Sequence, residues 1–138
     1  MSRIMGIDYG VKRIGVAVSD PLGVTAQPLE VIQRKSVKED IARIKSLAET
    51  GGIVTIVIGF PYNMDGTPGA LADEVTAFGD KVKAETGLPV EFYDERMTTL
   101  QVDRMLTEEA DVSREKRRQV RDKLAASLIL QSYLQSKG

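Results

Sequence analysis

The sequence predicts an α/β fold: a mixed five-stranded sheet in the order β-β-β-α-β-α-β-α, with helices on both faces. Three observations predict it. Two short apolar runs flank a turn-like stretch near the N-terminus. A nearly unbroken β-branched run, Ile53 to Ile58, reads as a strand buried on both faces, as in a parallel sheet. Between and after these strands, apolar residues recur at helical spacing and stop at glycines.

The chain is organised around Ile4 to Asp20. Ile4–Ile7 and Ile14–Val18 read as the strands of a hairpin, joined by Asp8–Arg13. Gly6, Gly10 and Gly15 leave room for something to approach the backbone closely. Pro21-Leu22-Gly23 is a turn. Ala26 to Gln33 reads as a third strand, at an edge because of Pro28. Ser36 and Glu39 form a capping-box pattern. Val37, Ile41, Ile44, Leu47 and Ala48 follow at helical spacing, and Gly51-Gly52 ends that helix. The loop Gly59 to Gly69 is dense in Gly and Pro. Leu71, Val75, Phe78 and Val82 mark a second helix, closed near Gly87 with Pro89 beyond. Val90 to Tyr93 is the fifth strand and leads into Asp94-Glu95-Arg96. Thr98 or Thr99 can cap a third helix through Leu106. The last helix runs from about Glu115 to Tyr133. No repeat, low-complexity segment or linker divides the 138 residues, which read as a single domain, 1–138.

Composition narrows the chemistry. The chain has no Cys and no His. That removes thiol nucleophiles, imidazole general bases and zinc sites built on either residue. Carboxylates without imidazole suit hard cations, Mg²⁺ or Mn²⁺. Arg3 and Asp8 interrupt the N-terminus before an apolar signal region, and no run nears the roughly 18 apolar residues of a membrane span. A cytoplasmic protein with no membrane partner is expected. Net charge is −1, but Val112 to Lys123 holds six basic residues against two acidic ones.

Three sites of negative charge stand out. Asp8 ends the first strand, where a carboxylate needs a partner or a cation; it also suits capping of its own turn. Asp94 and Glu95 end the fifth strand. Asp122 lies one turn before the apolar line Ala125, Ala126, Ile129 and Tyr133 of the last helix, or else in that helix's solvated first turns. In open α/β sheets, sites form at the carboxyl ends of strands. Carboxylates from separate elements can hold two divalent ions roughly 4 Å apart and so catalyse phosphodiester hydrolysis without a side-chain nucleophile. The basic residues Arg114, Lys116, Arg117, Arg118, Arg121 and Lys123 precede or flank Asp122, and Lys12, Arg13 and Arg96 flank the other acids. They are placed to hold phosphates beside the cations, or to form a solvated face.

The segments GIDYGVKRIGVAVSD (6–20), VIGFPYNMDG (57–66), YDERMTT (93–99) and DKLAASLILQSYL (122–134) resemble the YqgF/RuvX family. These are Holliday-junction-resolvase-like proteins, also described as nucleases for the 5′ end of pre-16S rRNA. The resemblance implies an RNase H-like fold. It implies that Asp8 is the first-strand catalytic aspartate, that the DER acid is the second, and that Asp122 is the third. Strand alternation leaves Asp94 or Glu95 as the ligand. Glu95 is favoured, with Asp94 supporting Arg96 or standing one layer behind the ligands. The implied partner is structured RNA or branched DNA, and the implied assembly a monomer or a homodimer. Two other classes fit parts of the sequence. Asp8 to Val16 resembles the first phosphate loop of actin- and Hsp70-like ATPases, which bind ATP between two such domains. A non-catalytic nucleic-acid- or protein-binding module is the other, although aromatic residues are only 5% of the chain, few for a base-stacking platform.

Overall fold

The computed structural model describes residues 2–63, 65–94 and 114–137, and the side chains among these except at 114–123. Five strands form one sheet: β1 (Arg3–Tyr9), β2 (Arg13–Ser19), β3 (Ala26–Gln33), β4 (Ile53–Phe60) and β5 (Val90–Asp94). Three helices accompany them: α1 (Val37–Gly51), α2 (Ala72–Thr86) and α3 (Arg114–Lys137). The expected helix from Thr98 or Thr99 to Leu106 lies outside the described residues, as do Glu95 and Arg96.

The strand order is β3-β2-β1-β4-β5. β1 and β2 pair antiparallel as the expected hairpin, and β3 adds antiparallel to β2. β4 crosses over through α1 to lie parallel to β1, and β5 through α2 to lie parallel to β4. β3 is an edge strand, as Pro28 requires of a residue with no amide donor. The ladder shifts register between Val16 and Ala17, the residue that pairs with Pro28.

Alternation along the strands splits the core in two. Met5, Ile7, Ile14, Val16, Ile56 and Ile58 point to one face and are sealed by Ile41 and Ile44 of α1 and by Val75, Phe78 and Val82 of α2. Ala17 and Val57 point to the other face, under Ala126, Ile129, Leu130, Tyr133 and Leu134 of α3. The helices therefore do cover both faces. β4 is less uniformly buried than its run of β-branched residues suggests, because Val54 at its start is 43% exposed.

Helix ends follow local chemistry. Ser36 caps α1 by accepting from the Glu39 amide at 3.1 Å. Gly52 and Gly87 close α1 and α2 in the left-handed conformation that glycine adopts without strain. The buried stripe of α3 includes Leu130 and Leu134 and leaves Ala125 only partly buried. The stripe is thus rotated from the line expected through Ala125.

Candidate active site

Asp8 is the next-to-last residue of β1 and is half-buried. It pairs with Gly15 of β2. One step beyond the Ile7–Ile58 pair, it stands level with Gly59 of β4, which in turn pairs with Tyr93 of β5. Asp8 is therefore flanked on both neighbouring strands by glycine. At this level neither neighbouring strand carries a side chain on the α3 face. The sequence singles out Gly15, but places Gly59 at the start of a loop; in the fold β4 runs on through Gly59 to Phe60.

Gly6 and Gly10 serve the chain itself. A Cβ on Gly6 would stand 2.7 Å from Leu130 Cβ and 3.0 Å from the Ala126 carbonyl oxygen. What approaches the backbone there is α3. A Cβ on Gly10 would stand 2.5 Å from the Arg13 carbonyl oxygen, so this glycine lets the turn close on itself.

The direction of α3 follows from its contacts. Gln131 accepts from the Ala26 amide at 2.9 Å, and Ala26 pairs with Ser19 at the end of β2, beside the start of β1. Ala126 and Leu130 lie over Gly6, further along β1. Moving toward the N-terminus of α3 therefore leads toward the carboxyl end of β1, where Asp8 is. Asp122 lies four residues before Ala126, one helical turn in that direction.

Register places the remaining candidates. Phe60 pairs with Asp94, so Asp94 belongs to the row that ends on the α1/α2 face with Phe60 and Tyr9, opposite Asp8. Arg13 alternates with Ile14 and lies on Asp8's face; Lys12 is exposed in the turn. Arg117, Arg118 and Arg121 belong to the first turns of α3, with side chains outside the described set. Among the described residues, no three acidic side chains gather into a group able to hold a metal ion. The expected partners of Asp8, at positions 95 and 122, lie outside the described side chains. The donor chemistry fits a hard divalent cation: carboxylate oxygens with no thiolate or imidazole in the chain.

A second charged group was not foreseen. Arg34 lies in the link between β3 and α1, only 16% exposed, and forms an ion pair with Asp40, which is 2% exposed, at 3.1 Å. Its guanidinium also donates to the Gly10 carbonyl at 3.1 Å and stands 4.7 Å from the centre of the Tyr9 ring. Burial works against its charge, but contacts with Tyr9 and Asp40 outweigh it and raise its pKa above the ordinary value. In the sequence Asp40, four residues after the Ser36 cap, reads as an ordinary first-turn carboxylate.

The architecture is that of the RNase H-like nucleases and resolvases. Solved structures that share it include Thermus thermophilus RuvC in complex with a Holliday junction substrate, with TM-score 0.55 and 19% identity over 100% of this chain and 97% of that one, and the fowlpox virus Holliday junction resolvase, with TM-score 0.58 and 13% identity over 99% of each. The family model described as "RuvX: Holliday junction resolvase" matches residues 2–136, and the chain belongs to this family. It is also similar to proteins named "Putative pre-16S rRNA nuclease". That of Moorella thermoacetica is 52% identical over 99% of this chain and 96% of the relative. That of Lacticaseibacillus casei is 51% identical over 99% and 96%, and that of Endomicrobium trichonymphae 48% over 97% and 96%.

Proposed function

We propose that this protein is a divalent-metal-dependent nuclease that processes the 5′ end of pre-16S rRNA. The observation that carries the reading is the position of Asp8: an acid at the carboxyl end of the central strand, between two glycines, on the face of the sheet that α3 covers. Asp8, Glu95 and Asp122 would hold Mg²⁺ or Mn²⁺. Asp94 belongs to the opposite face, which supports Glu95, the next residue along, as the ligand from this strand. When bound, the cation supplies Lewis acidity toward the phosphoryl group and the attacking water.

The chain's own residues do the rest. The carboxylates supply hard oxygen ligands from three separate elements. Arg13, on Asp8's face, and Lys12, in the exposed turn, are set to neutralise phosphates on the same side of the sheet. Arg96, Arg117, Arg118 and Arg121 extend that role along the strand being cut. These contacts position a nucleic acid without reading its sequence.

The family description favours a second reading, cleavage of four-way DNA. One experiment separates the two. Purified protein with Mg²⁺ or Mn²⁺ is offered a 5′-extended small-subunit rRNA fragment and a synthetic four-way junction. Metal-dependent cleavage of the RNA, lost in Asp8→Asn with binding intact, is expected. Cleavage of the junction alone would replace the RNA reading with the DNA one. Binding of either without turnover would make the chain a non-catalytic module.

A further inference from the structure

The turn that follows Asp8 is held from the face of the sheet opposite to Asp8. Two of its carbonyls are engaged by one residue: Arg34 Nη1 donates to Gly10 at 3.1 Å, and the Arg34 amide donates to Lys12 at 3.0 Å. The same guanidinium donates through Nε to Asp40 Oδ2 at 3.1 Å. Asp40 in turn accepts from the Lys35 amide at 3.1 Å through Oδ1, and its own amide bonds the Ser36 carbonyl at 2.9 Å. One buried ion pair thus ties the turn to the first turn of α1.

Tyr9, the residue after Asp8, is fixed by the same group. Its ring lies 4.9 Å from Phe78 on one side and beneath Arg34, and its hydroxyl donates to Glu74 at 3.1 Å. Ile7, the residue before Asp8, is fully buried. Asp8 is therefore suspended between two immobilised neighbours. A buried ion pair is rarely more stabilising than apolar residues in its place, because both charges lose their hydration. Its contribution here is geometric: a planar fork that reaches Asp40 and the Gly10 carbonyl together, which a point charge cannot do.

We propose that Arg34, held by Asp40, is a positioning residue that fixes the Tyr9–Lys12 turn and through it the direction of the Asp8 carboxylate. The inference rests on the metal-dependent reading of Asp8. Partners one layer behind metal ligands commonly contribute about 10- to 100-fold in metal affinity.

The test uses the full chain and Mn²⁺ binding measured by calorimetry, with amide hydrogen exchange across residues 8–13. Arg34→Lys keeps the charge but not the fork. It is expected to weaken Mn²⁺ binding about tenfold and to speed exchange in the turn, while α2 and β4 exchange as in the wild type. Asp40→Asn should act in the same direction, and the double variant should lose less than the two single losses combined. Arg43→Lys, which disturbs the bidentate surface pair with Glu30, serves as the control and should leave both readings unchanged. Wild-type Mn²⁺ affinity and turn exchange in Arg34→Lys and Asp40→Asn overturn the inference and leave the nuclease reading standing. A wild-type chain that binds no Mn²⁺ overturns both. Uniformly faster exchange throughout the variants assigns the pair a purely structural role and also overturns it.

Discussion

The two faces of the sheet are built from different materials. Toward α1 and α2 the central strands present Met5, Ile7, Ile14, Val16, Ile56 and Ile58. Toward α3, the residues between them are Gly6, Asp8, Gly15, Ala17, Val57 and Gly59. Large branched side chains on the first face fill space and drive burial, at about 1.5–3 kcal/mol for each. Small residues on the second bring a helix against the backbone at Gly6 and flank an acid with glycines. On the proposed reading, stability and chemistry fall on opposite sides of the same strands, carried by alternate residues of the same short segments. The Arg34–Asp40 pair, proposed above to orient Asp8, acts from the stable side through the turn rather than through the sheet.

This contrast is broken first by emptying the stable face. Ile58 is fully buried, and Ile58→Ala should cost about 2–5 kcal/mol in denaturant unfolding. Metal affinity should be unchanged wherever the variant is folded. Coupled loss of metal binding in the folded variant would mean that the faces are not independent.

Filling the thin face should cost less in stability and more in function. Gly6→Ala forces α3 outward, because the added carbon meets Leu130 Cβ at 2.7 Å and the Ala126 carbonyl at 3.0 Å. Overpacking of this kind costs about 1–3 kcal/mol, and the shift of α3 should lower cleavage even in the folded protein. Gly79 gives the sharper comparison. An added carbon there meets Phe92 Cζ at 2.6 Å, nearly the same distance, but that atom is the far end of a 39% exposed ring that can swing away. With the gain in helix propensity of Ala over Gly, roughly 1 kcal/mol, Gly79→Ala should be close to neutral. Equal thermal shifts for the two variants would show that distance alone, rather than what stands at it, sets the cost.

The smallest effect concerns the far end of α3. Tyr133 donates to Glu91 of β5, and burial, followed by that bond and the Glu91 charge, raises its pKa from 10.0 to about 12. A phenol whose pKa is raised on folding contributes stability that is complete below its unfolded value. That contribution is lost as pH climbs through the folded value. Stability should therefore fall between about pH 10 and pH 12, and Tyr133→Phe should remove that part of the slope. At neutral pH the variant should lose only about 1 kcal/mol, because Glu91 is partly exposed and can be hydrated. An unchanged alkaline slope in Tyr133→Phe would assign it to other groups.

Much of this was legible in the sequence, for physical reasons. The hairpin, the crossover strands and both glycine-closed helices follow from periodicity and stop signals, which are local. The tetrad of large residues alternating with Gly, Asp and Ala in 4–18 carries both faces in one segment. Pro28 marks the edge strand because a missing donor is a property of the residue itself. What local pattern could not give is register. Only pairing of β1 with β4 puts Gly59 beside Asp8, and only pairing of β4 with β5 assigns Asp94 to the opposite face. The Arg34–Asp40 pair was hidden for a related reason: its function depends on the Gly10 carbonyl, 24 residues away in the chain. The rotation of the α3 stripe toward Leu130 and Leu134 reflects the sheet it packs on, which helical spacing alone does not specify.

The nuclease reading requires Asp8, Glu95 and Asp122 to bind divalent cations together, and Mn²⁺ titration of single-carboxylate variants tests this most directly. Asp8→Asn, Glu95→Gln and Asp122→Asn should each weaken binding by about tenfold or more, whereas Asp94→Asn should stay within a few-fold of the wild type. Undiminished binding in Asp8→Asn, or a loss confined to Asp94→Asn, would contradict it.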